Sequence, residues 1–386
     1  MILAHEIRIQ PTRTQEQYFR RAAGTARFAY NWALEQWNRQ YRDGEKPSAY
    51  KLKKHFNSLR RSEYPWSYEV HRDCTARAFD NLQTAFQRFF RKQSRYPRFK
   101  KRGQRDSFYI ANDKLQLKGR KARIPVLGWI RLREQLRFQG KIIGATIKRV
   151  ADMWFLVVQV RIREPKPRTA DGVVGIDLGL ESSVTLSSGE KLQGPRPLKR
   201  SLDRLRRLSR SLSRKSKGSN NWKRAVLRLS RLHYRISCQR KDFLHKTTTR
   251  ICRENQAVAM ESLGVKEMMR GYLARAIADQ GWGEFARQIR YKAELYQCEL
   301  TLADRFFPST KKCSRCGELN QISLAERTYH CAACGAVIDR DLNAALNLKQ
   351  LAWATREVTP VDTARVVTMP WPKQEHPSEH FCPLRR

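Results

Sequence analysis

The stretch VVGIDLG, residues 173–179, combines an apolar run with a single carboxylate, Asp177. A continuous apolar run of this length predicts a strand buried in a sheet. A carboxylate inside a buried strand costs several kcal/mol unless it is paired or binds a cation. Asp177 is therefore a candidate metal ligand, although a lone acid is more often a salt-bridge partner.

A second acid interrupts another apolar run further along the chain. AVAMESLG, residues 257–264, places Glu261 at the end of a predicted strand, and CELTLADRFFPST, residues 298–310, supplies one more strand. Acids that converge at strand ends can bind two divalent ions, which in phosphodiester hydrolases lie roughly 3.5–4 Å apart. Oxygen ligands favour Mg²⁺ or Mn²⁺ over zinc.

The third candidate acid lies in AVIDRDLNAALNL, residues 336–348, which enters an alanine-rich helix. Asp339 and Asp341 are two positions apart, so a helix that includes both cannot turn them to the same site. We predict Asp341 as the metal-binding acid because it adjoins the helix, and Asp339 as a residue that supports the ligands or the fold. Asp339 is also the alternative metal ligand. The alternative is that Asp341 only caps the helix, a role that suits aspartate.

Four cysteines shortly before this helix predict a zinc site. Cys313-x-x-Cys316 and Cys331-x-x-Cys334 are separated by fourteen residues, and each pair is followed by glycine. Two such pairs surround one ion with four thiolates, which stabilises a fold and leaves no position for a reacting water. His330 could also bind zinc, but four thiolates already complete the coordination. We therefore predict one structural Zn²⁺.

The composition of the 386-residue chain indicates a polyanionic partner. It has 78 Lys and Arg against 36 Asp and Glu, a formal net charge of +42, and such an excess most simply binds nucleic acid. No apolar run reaches the roughly 18 residues of a membrane span, and the N-terminus has no secretory pattern. With four of nine cysteines in CxxC pairs, we expect a reduced, cytoplasmic protein that associates with the nucleoid.

The N-terminus predicts a strand followed by a helix. HEIRIQP, residues 5–11, alternates like a half-buried strand. A capping box follows, formed by Thr12 with Gln15 or by Thr14 with Gln17, and it predicts the start of a helix.

Apolar residues recur at helical spacing again over about 72–91. This predicts a second helix that packs with the first one in a bundle. Residues 108–163 instead alternate, as the short strands of a barrel or sandwich would. REPKPRTADG, residues 163–172, has the composition of a linker. We therefore predict a domain boundary near 165–171.

Two segments concentrate basic residues. Residues 91–105 interleave eight Lys and Arg with aromatic residues, a composition that suits bases beside phosphates, although a solvated linker would look the same. Residues 199–241 hold sixteen basic residues and one acid, Asp203, on two leucine-bearing arms. We predict an antiparallel helical hairpin that contacts nucleic acid, because so uneven a charge run repels itself.

Several motifs together resemble the TnpB family of transposon-encoded RNA-guided DNA endonucleases, which is related to type V CRISPR effectors. The likeness is looser in the N-terminal half, through GTARFAYNWAL and YPRFKKRGQRDSF. It is strong from 171 to 350, where the motifs follow in this order: GVVGIDLG, MESLGVKEMM, GWGEFARQIRYKAE, DRFFPSTKKCSRCG and YHCAACGAVIDRDLNAALNL.

The resemblance implies a multidomain protein of mixed α/β and α+β class. A wedge β-barrel interrupted by a helical recognition lobe would precede a RuvC-type nuclease of RNase H-like fold, which a zinc ribbon splits and which carries the basic hairpin. The expected boundaries are 1–12 and 94–168 for the barrel, 13–93 for the lobe, 171–305 and 339–351 for the nuclease, 306–338 for the ribbon and 352–386 for a disordered tail.

The resemblance also implies the activity and its partners. The family binds a guide RNA made from the transposon end and cuts both DNA strands beside a short target-adjacent motif at one metal-dependent site. GIDLG assigns Asp177, MESL assigns Glu261 and DLNAA assigns Asp341 as the catalytic acids, which would bind two Mg²⁺ or Mn²⁺ ions. We expect a monomer in a prokaryotic cell, without a membrane partner.

Two other functions remain open at this level. An unguided RNase H-fold transposase or resolvase would use the same acids without a bound guide RNA. A nuclease-inactive guided repressor would bind target DNA without cutting it, but all three acids are present, which favours an active nuclease.

Overall fold

The computed structural model describes residues 1–163, 171–323 and 326–357, with side chains up to 355. Contacts between Cα atoms divide it into two units, described separately below. The first unit contains 1–163 and 197–239, and the second contains 171–196 and 240–357. The linker predicted near 165–171 and the predicted tail beyond 357 lie largely outside the described residues.

The first unit is built on seven antiparallel strands, which lie in the order β2-β6-β7-β1-β5-β4-β3. Their bounds are β1 (Ile2–Gln10), β2 (Ser107–Ala111), β3 (Gln116–Lys118), β4 (Lys121–Ile124), β5 (Gly128–Leu132), β6 (Lys141–Val150) and β7 (Met153–Arg161). The alternating strands predicted over 108–163 are confirmed. β1 joins the two halves of the sheet, because it pairs with β7 along most of its length and with β5 at its end.

Both halves of this sheet share one apolar core, which includes Ile7, Ile130 and Leu156. The terminal strands β2 and β3 are not paired with each other in the described part of the chain. The sheet therefore encloses its core without the closed hydrogen bonding of the predicted barrel.

Three helices follow β1, and they are α1 (Arg13–Arg42), α2 (Ala49–Leu59) and α3 (Asp73–Phe90). The Thr12 side chain accepts the Gln15 N–H, and the Gln15 side chain accepts the Thr12 N–H, which decides between the two predicted capping boxes. The start of α1 packs on the sheet core through Phe19, whereas its later turns join Phe56 and Phe79 in the core of a helical bundle. The helix predicted over about 72–91 is α3.

The predicted hairpin is formed by α4 (Pro197–Ser213) and α5 (Asn220–Glu254). Leu205, Leu232 and Ile236 bury its apolar seam, and the basic residues lie on its outer faces. The leucine spacing and the turn between the arms therefore predicted this element correctly.

The hairpin was expected to belong to the nuclease segment 171–305. In the structure its contacts up to residue 239 group it with the first unit instead. Arg231 forms an ion pair with Asp152, in the turn between β6 and β7. The ring of Tyr234 packs on Phe155 of β7, with ring centroids 5.7 Å apart. These tertiary contacts have no signature in the local sequence.

The second unit holds a mixed sheet with the order β10-β9-β8-β11-β12. Its strands are β8 (Gly172–Asp177), β9 (Val184–Leu186), β10 (Lys191–Leu192), β11 (Asn255–Glu261) and β12 (Glu299–Ala303). β8, β9 and β10 form an antiparallel meander, and β11 is parallel to both β8 and β12. Because β8 and β11 are parallel, their carboxyl ends lie at the same edge.

Helices cover both faces of this sheet, so its central strands are apolar on both sides. The helices after β11 are α6 (Val265–Met268), α7 (Ala274–Gln280), α8 (Trp282–Tyr296) and α9 (Arg340–Glu357). One face, with Ile176 and Met260, packs on the end of α5 and on α8. The other face, with Val173 and Ala259, packs on α9.

The helix α9 lies very close to β8. A side chain on Gly175 would collide with the carbonyl of Ala345, so glycine is required at this crossing. The helix runs to Glu357, beyond the limit at 351 that the sequence predicts, because Leu351 and Ala352 still pack on the sheet.

A small two-stranded ribbon precedes α9, and it consists of β13 (Thr328–His330) and β14 (Val337–Asp339). Tyr329 is fully buried there with Cys313, Cys331 and Ala336. Among the helices of the described ranges, none is both long and apolar enough to cross a membrane.

Candidate active site

Three carboxylates meet at the carboxyl edge of the mixed sheet. Asp177 is the last residue of β8 and Glu261 the last residue of β11, and the pairing of Ile176 with Met260 places them side by side. Asp341 comes from the first turn of α9. Its Oδ2 lies 3.9 Å from the point where a side chain on Gly179, two residues after Asp177, would begin.

The electrostatics of this edge favour a cation. Burial, the largest cause, and the negative charges of Glu261 and Asp341 together raise the pKa of Asp177 to about 7, although Arg340 opposes the shift. Like charges held together in a buried site repel one another unless a cation compensates them. Three carboxylates form an oxygen-only ligand set of the kind that binds Mg²⁺ or Mn²⁺. The ligand chemistry of these residues fits the predicted metal, but their carboxylate oxygens do not all lie within 4.8 Å of one another.

Two neighbours of these acids were not found from the sequence. The Ser309 hydroxyl donates a short hydrogen bond to Oε1 of Glu261. The Arg340 guanidinium lies 3.5 Å from Oδ1 of Asp341. Ser309 has no local signal, because it reaches Glu261 only through the tertiary fold, whereas Arg340 directly precedes Asp341 in the sequence.

Asp339 makes a different set of contacts. Its Oδ1 accepts the N–H of Leu342 at 3.1 Å, which caps α9. Its Oδ2 pairs with Nζ of Lys191 on β10 at 2.7 Å. Burial opposes its charge, but the Lys191 and Leu342 hydrogen bonds hold the pKa of Asp339 below its usual range. Both oxygens therefore have structural partners, which agrees with the structural role predicted for this residue.

The four predicted zinc ligands also come together. The Sγ atoms of Cys313, Cys316, Cys331 and Cys334 all lie within 4.8 Å of one another. The closest pairs are Cys316 with Cys331, at 3.5 Å, and Cys313 with Cys334, at 3.7 Å. Such a set of four sulfurs fits a tetrahedral Zn²⁺. His330 is exposed and is not part of this group.

The two cysteine turns have matching backbone geometry. The N–H of Gly317 bonds the carbonyl of Cys313 at 2.9 Å, and the N–H of Gly335 bonds that of Cys331 at 3.0 Å. Both glycines have positive φ, 82° and 68°, which other residues adopt at a cost. The backbone N–H of Cys334 is the main cause that lowers the pKa of the Cys331 thiol to about 6, so this thiol readily becomes the thiolate that zinc requires.

Asparagines on α9 fasten the first cysteine turn to the helix. Asn343 accepts the N–H of Ser314 at 2.9 Å and donates to the carbonyl of Lys312 at 2.8 Å. Asn347 donates to the carbonyls of Ser309 and Lys312, both at 2.7 Å. This attachment could have been predicted from the sequence, because two asparagines four positions apart on an apolar helix lie on the same face.

The basic segment 91–105 lies along α1 in the first unit. Asn31 exchanges two hydrogen bonds with the backbone of Lys100, and the Tyr96 hydroxyl donates to Asn38 at 2.6 Å. The rings of Tyr96 and Phe99 are 44% and 48% exposed. Exposed aromatic rings among cations, on a segment held in place, suit a nucleic-acid surface better than a solvated linker.

The hairpin offers a second basic surface in the same unit. Its exposed basic residues are Lys199, Arg200, Arg204, Arg206, Arg207, Arg210, Arg214, Lys217, Lys223, Arg224, Arg228, Arg231 and Arg235. A face of this charge attracts a polyanion such as a nucleic-acid backbone.

A solved structure shares the fold of this chain. It is a protein in the cryo-EM structure of the Cas12f1–sgRNA–target DNA complex, and it matches with a TM-score of 0.59 and 16% sequence identity over 88% of this chain and 83% of that chain. The chain therefore has the fold of a Cas12-type effector.

Relatives in sequence identify the family. Two bacterial proteins, from Streptomyces pristinaespiralis and Escherichia coli (strain K12), are named "Putative RNA-guided DNA endonuclease", the second with the suffix InsQ. The first is 38% identical over 89% of this chain and 88% of its own length, and the second is 31% identical over 89% and 91%. These relatives, together with the OrfB–IS605 family model that matches residues 156–271, show that the chain belongs to the TnpB family.

Three family models cover successive parts of the chain. The model described as "Probable transposase" matches 156–271, the Cas12f1-like TNB domain matches 282–348, and a helix-turn-helix domain matches 1–46. Over 1–46 the structure has β1 and one continuous helix of 30 residues, so the third description does not correspond to two short helices here.

Proposed function

We propose that the protein is an RNA-guided DNA endonuclease encoded by an insertion sequence, which hydrolyses both strands of double-stranded DNA beside a short target-adjacent motif. The observation that carries this proposal is the convergence of Asp177, Glu261 and Asp341 at one sheet edge. The names of the relatives support the guided activity.

The sheet of the second unit supports a RuvC-type, RNase H-like nuclease domain. An antiparallel meander followed by two parallel strands, with helices on both faces, agrees with that fold. The sheet of the first unit, with its inserted helices, would then correspond to the wedge domain and recognition lobe.

The acids would hold two Mg²⁺ or Mn²⁺ ions through their carboxylate oxygens. When bound, such ions supply an activated water and stabilise the leaving oxygen of a phosphodiester. Ser309 holds one oxygen of Glu261, and Arg340 offsets part of the negative charge beside Asp341. The protein's own contribution is to keep three mutually repelling carboxylates in one place.

The guide and target would bind to the basic surfaces. The segment 91–105 and the hairpin offer backbone contacts, which position a nucleic acid without reading its sequence. Sequence would be read by pairing between target and guide RNA, which we expect to derive from the transposon end. We propose a monomer with one guide.

Sequencing of the RNA that copurifies with the protein, expressed together with its flanking transposon DNA, tests this function. We expect one discrete RNA that ends in a guide segment, and cleavage in Mg²⁺ of a plasmid that carries the matching target but not of a scrambled one. Cleavage without a bound RNA would identify an unguided transposase or resolvase. Guided binding without cleavage would identify a repressor.

A further inference from the structure

We propose that Ser309 is a positioning residue, which orients Glu261 and couples the acidic site to the folding of the zinc ribbon. The inference rests on the proposed function, because it assigns Ser309 a part in the work of Glu261. Ser309 lies between β12 and the first cysteine turn, and its hydroxyl donates to Oε1 of Glu261. Its side chain is only 2% exposed, so water cannot readily replace this bond.

A donor on one carboxylate oxygen restricts the rotation of the whole group. With Oε1 held by Ser309, the remaining oxygen of Glu261 has a defined direction and stays available to a cation. Partners that hold a ligand in this way typically contribute 10–100-fold to metal affinity or activity.

The backbone of Ser309 is itself held by α9, the helix that brings Asp341. Asn347 donates to the Ser309 carbonyl at 2.7 Å, and this amide is 1% exposed. The Ser309 N–H bonds the carbonyl of Phe307 at 2.8 Å. The backbone of Ser309 is therefore held by α9, which carries Asp341, while its hydroxyl contacts Glu261 of β11.

The same asparagines reach the zinc ligands. Lys312 and Ser314 flank Cys313, and Asn343 bonds both of them, while Asn347 bonds Lys312 as well as Ser309. Folding of the first cysteine turn around zinc thus fixes the segment that presents the Ser309 hydroxyl. A closed zinc site that does no chemistry can in this way set the geometry of the acids.

Ser314 offers a matched control. It is a buried serine in the same segment, and its Oγ has no hydrogen-bond partner among the described residues. Its backbone contact with Asn343 does not depend on its side chain. Ser314→Ala therefore removes an equal hydroxyl that touches no acid.

The test compares Ser309→Ala, Ser309→Thr and Ser314→Ala in the full-length protein with its bound RNA. We measure kcat and KM for matched DNA, Mn²⁺ binding by electron paramagnetic resonance without DNA, and zinc content. Ser309→Ala should lower kcat about 10–100-fold and weaken Mn²⁺ binding about tenfold, with KM and zinc content unchanged. Ser309→Thr, which keeps the hydroxyl, should recover most of both, and Ser314→Ala should match the unmodified protein.

Wild-type kcat and Mn²⁺ affinity in Ser309→Ala would overturn the inference, and so would loss of zinc from that variant, since it would place Ser309 in ribbon folding alone. The proposed function fails separately, if the unmodified protein does not cleave guided targets. The Mn²⁺ comparison would still decide whether Ser309 orients Glu261 in that case.

Discussion

The acidic site and the zinc ribbon are two clusters of proposed metal ligands in one unit, and they differ in how the chain assembles them. The four cysteines come from two turns within a stretch of 22 residues, and each turn is closed by its own backbone hydrogen bonds. The acids come from β8, β11 and α9, which are far apart in the sequence. The four thiolates of the ribbon would complete the coordination of one zinc ion, whereas the acids are brought together only by the whole sheet and α9.

The largest effect should follow removal of an acid. Asp177→Ala or Glu261→Ala should lower the cleavage rate about 10³-fold or more, because the remaining acids cannot hold the metal. Guide and target binding, measured by gel shift, should stay intact. Glu294→Ala, which removes an exposed glutamate of the same unit, is the control and should cleave normally. Lost nucleic-acid binding in the acid variants would show that these residues bind nucleic acid instead.

Replacing Asp341 and replacing Asp339, at the start of α9, should have clearly different effects on cleavage and stability. Asp341→Ala should reduce cleavage to the level of Asp177→Ala with little change in stability. Asp339→Ala should keep cleavage within about tenfold and cost about 1 kcal/mol of unfolding free energy, since it removes a helix cap and a partner of Lys191. Rate assays and thermal unfolding of both variants check this, and the reverse pattern would make Asp339 the metal ligand.

Loss of a zinc ligand should mainly lower the stability of the fold. Cys313→Ser should lose bound zinc and lower the unfolding temperature, because zinc binding contributes folding free energy. Cleavage should fall about tenfold through the contacts of Asn347 and Ser309. Metal analysis and calorimetry measure these effects, with Cys298→Ser, a buried cysteine outside the group, as control. Unchanged zinc content and stability would contradict a structural ribbon.

The stability of the metal-free protein should also depend on pH. The pKa of Asp177 is raised to about 7 in the folded state, so the folded protein binds this proton more tightly than the unfolded chain does. Its stabilising contribution is complete below about pH 4 and is lost as the pH rises to about 7, by on the order of 1 kcal/mol per unit. Asp177→Asn should flatten this part of the profile in chemical unfolding, and Mg²⁺ should restore stability at pH 7.

The features that the sequence predicted correctly are those with a local signal. Cysteine spacing is local, so it predicted the ribbon, and apolar runs that end in acids predicted Asp177 and Glu261. The spacing of Asp339 and Asp341 showed only that the two cannot face one site, and the resemblance favoured Asp341; the structure adds that Asp339 caps α9 and pairs with Lys191. Leucine stripes predicted the hairpin for the same local reason.

What the sequence could not show depends on tertiary packing. The hairpin groups with the first unit through Asp152 and Phe155, residues distant from it in sequence. Ser309 reaches Glu261 only because β11 and β12 are neighbours and α9 fixes the turn that follows. The sheet of the first unit is open because β2 and β3 are not paired with each other among the described residues, which alternation along single strands cannot reveal.

The most direct test of the separate roles of the two clusters is a Mg²⁺ titration of single-turnover cleavage, with bound zinc counted in the same samples. We expect no cleavage of a matched target without Mg²⁺ and full cleavage when it is added, while zinc stays at one ion per protein throughout. Cleavage that persists without Mg²⁺ or Mn²⁺, or that follows the zinc content instead, would contradict the assignment of chemistry to the acids and of structure to the cysteines.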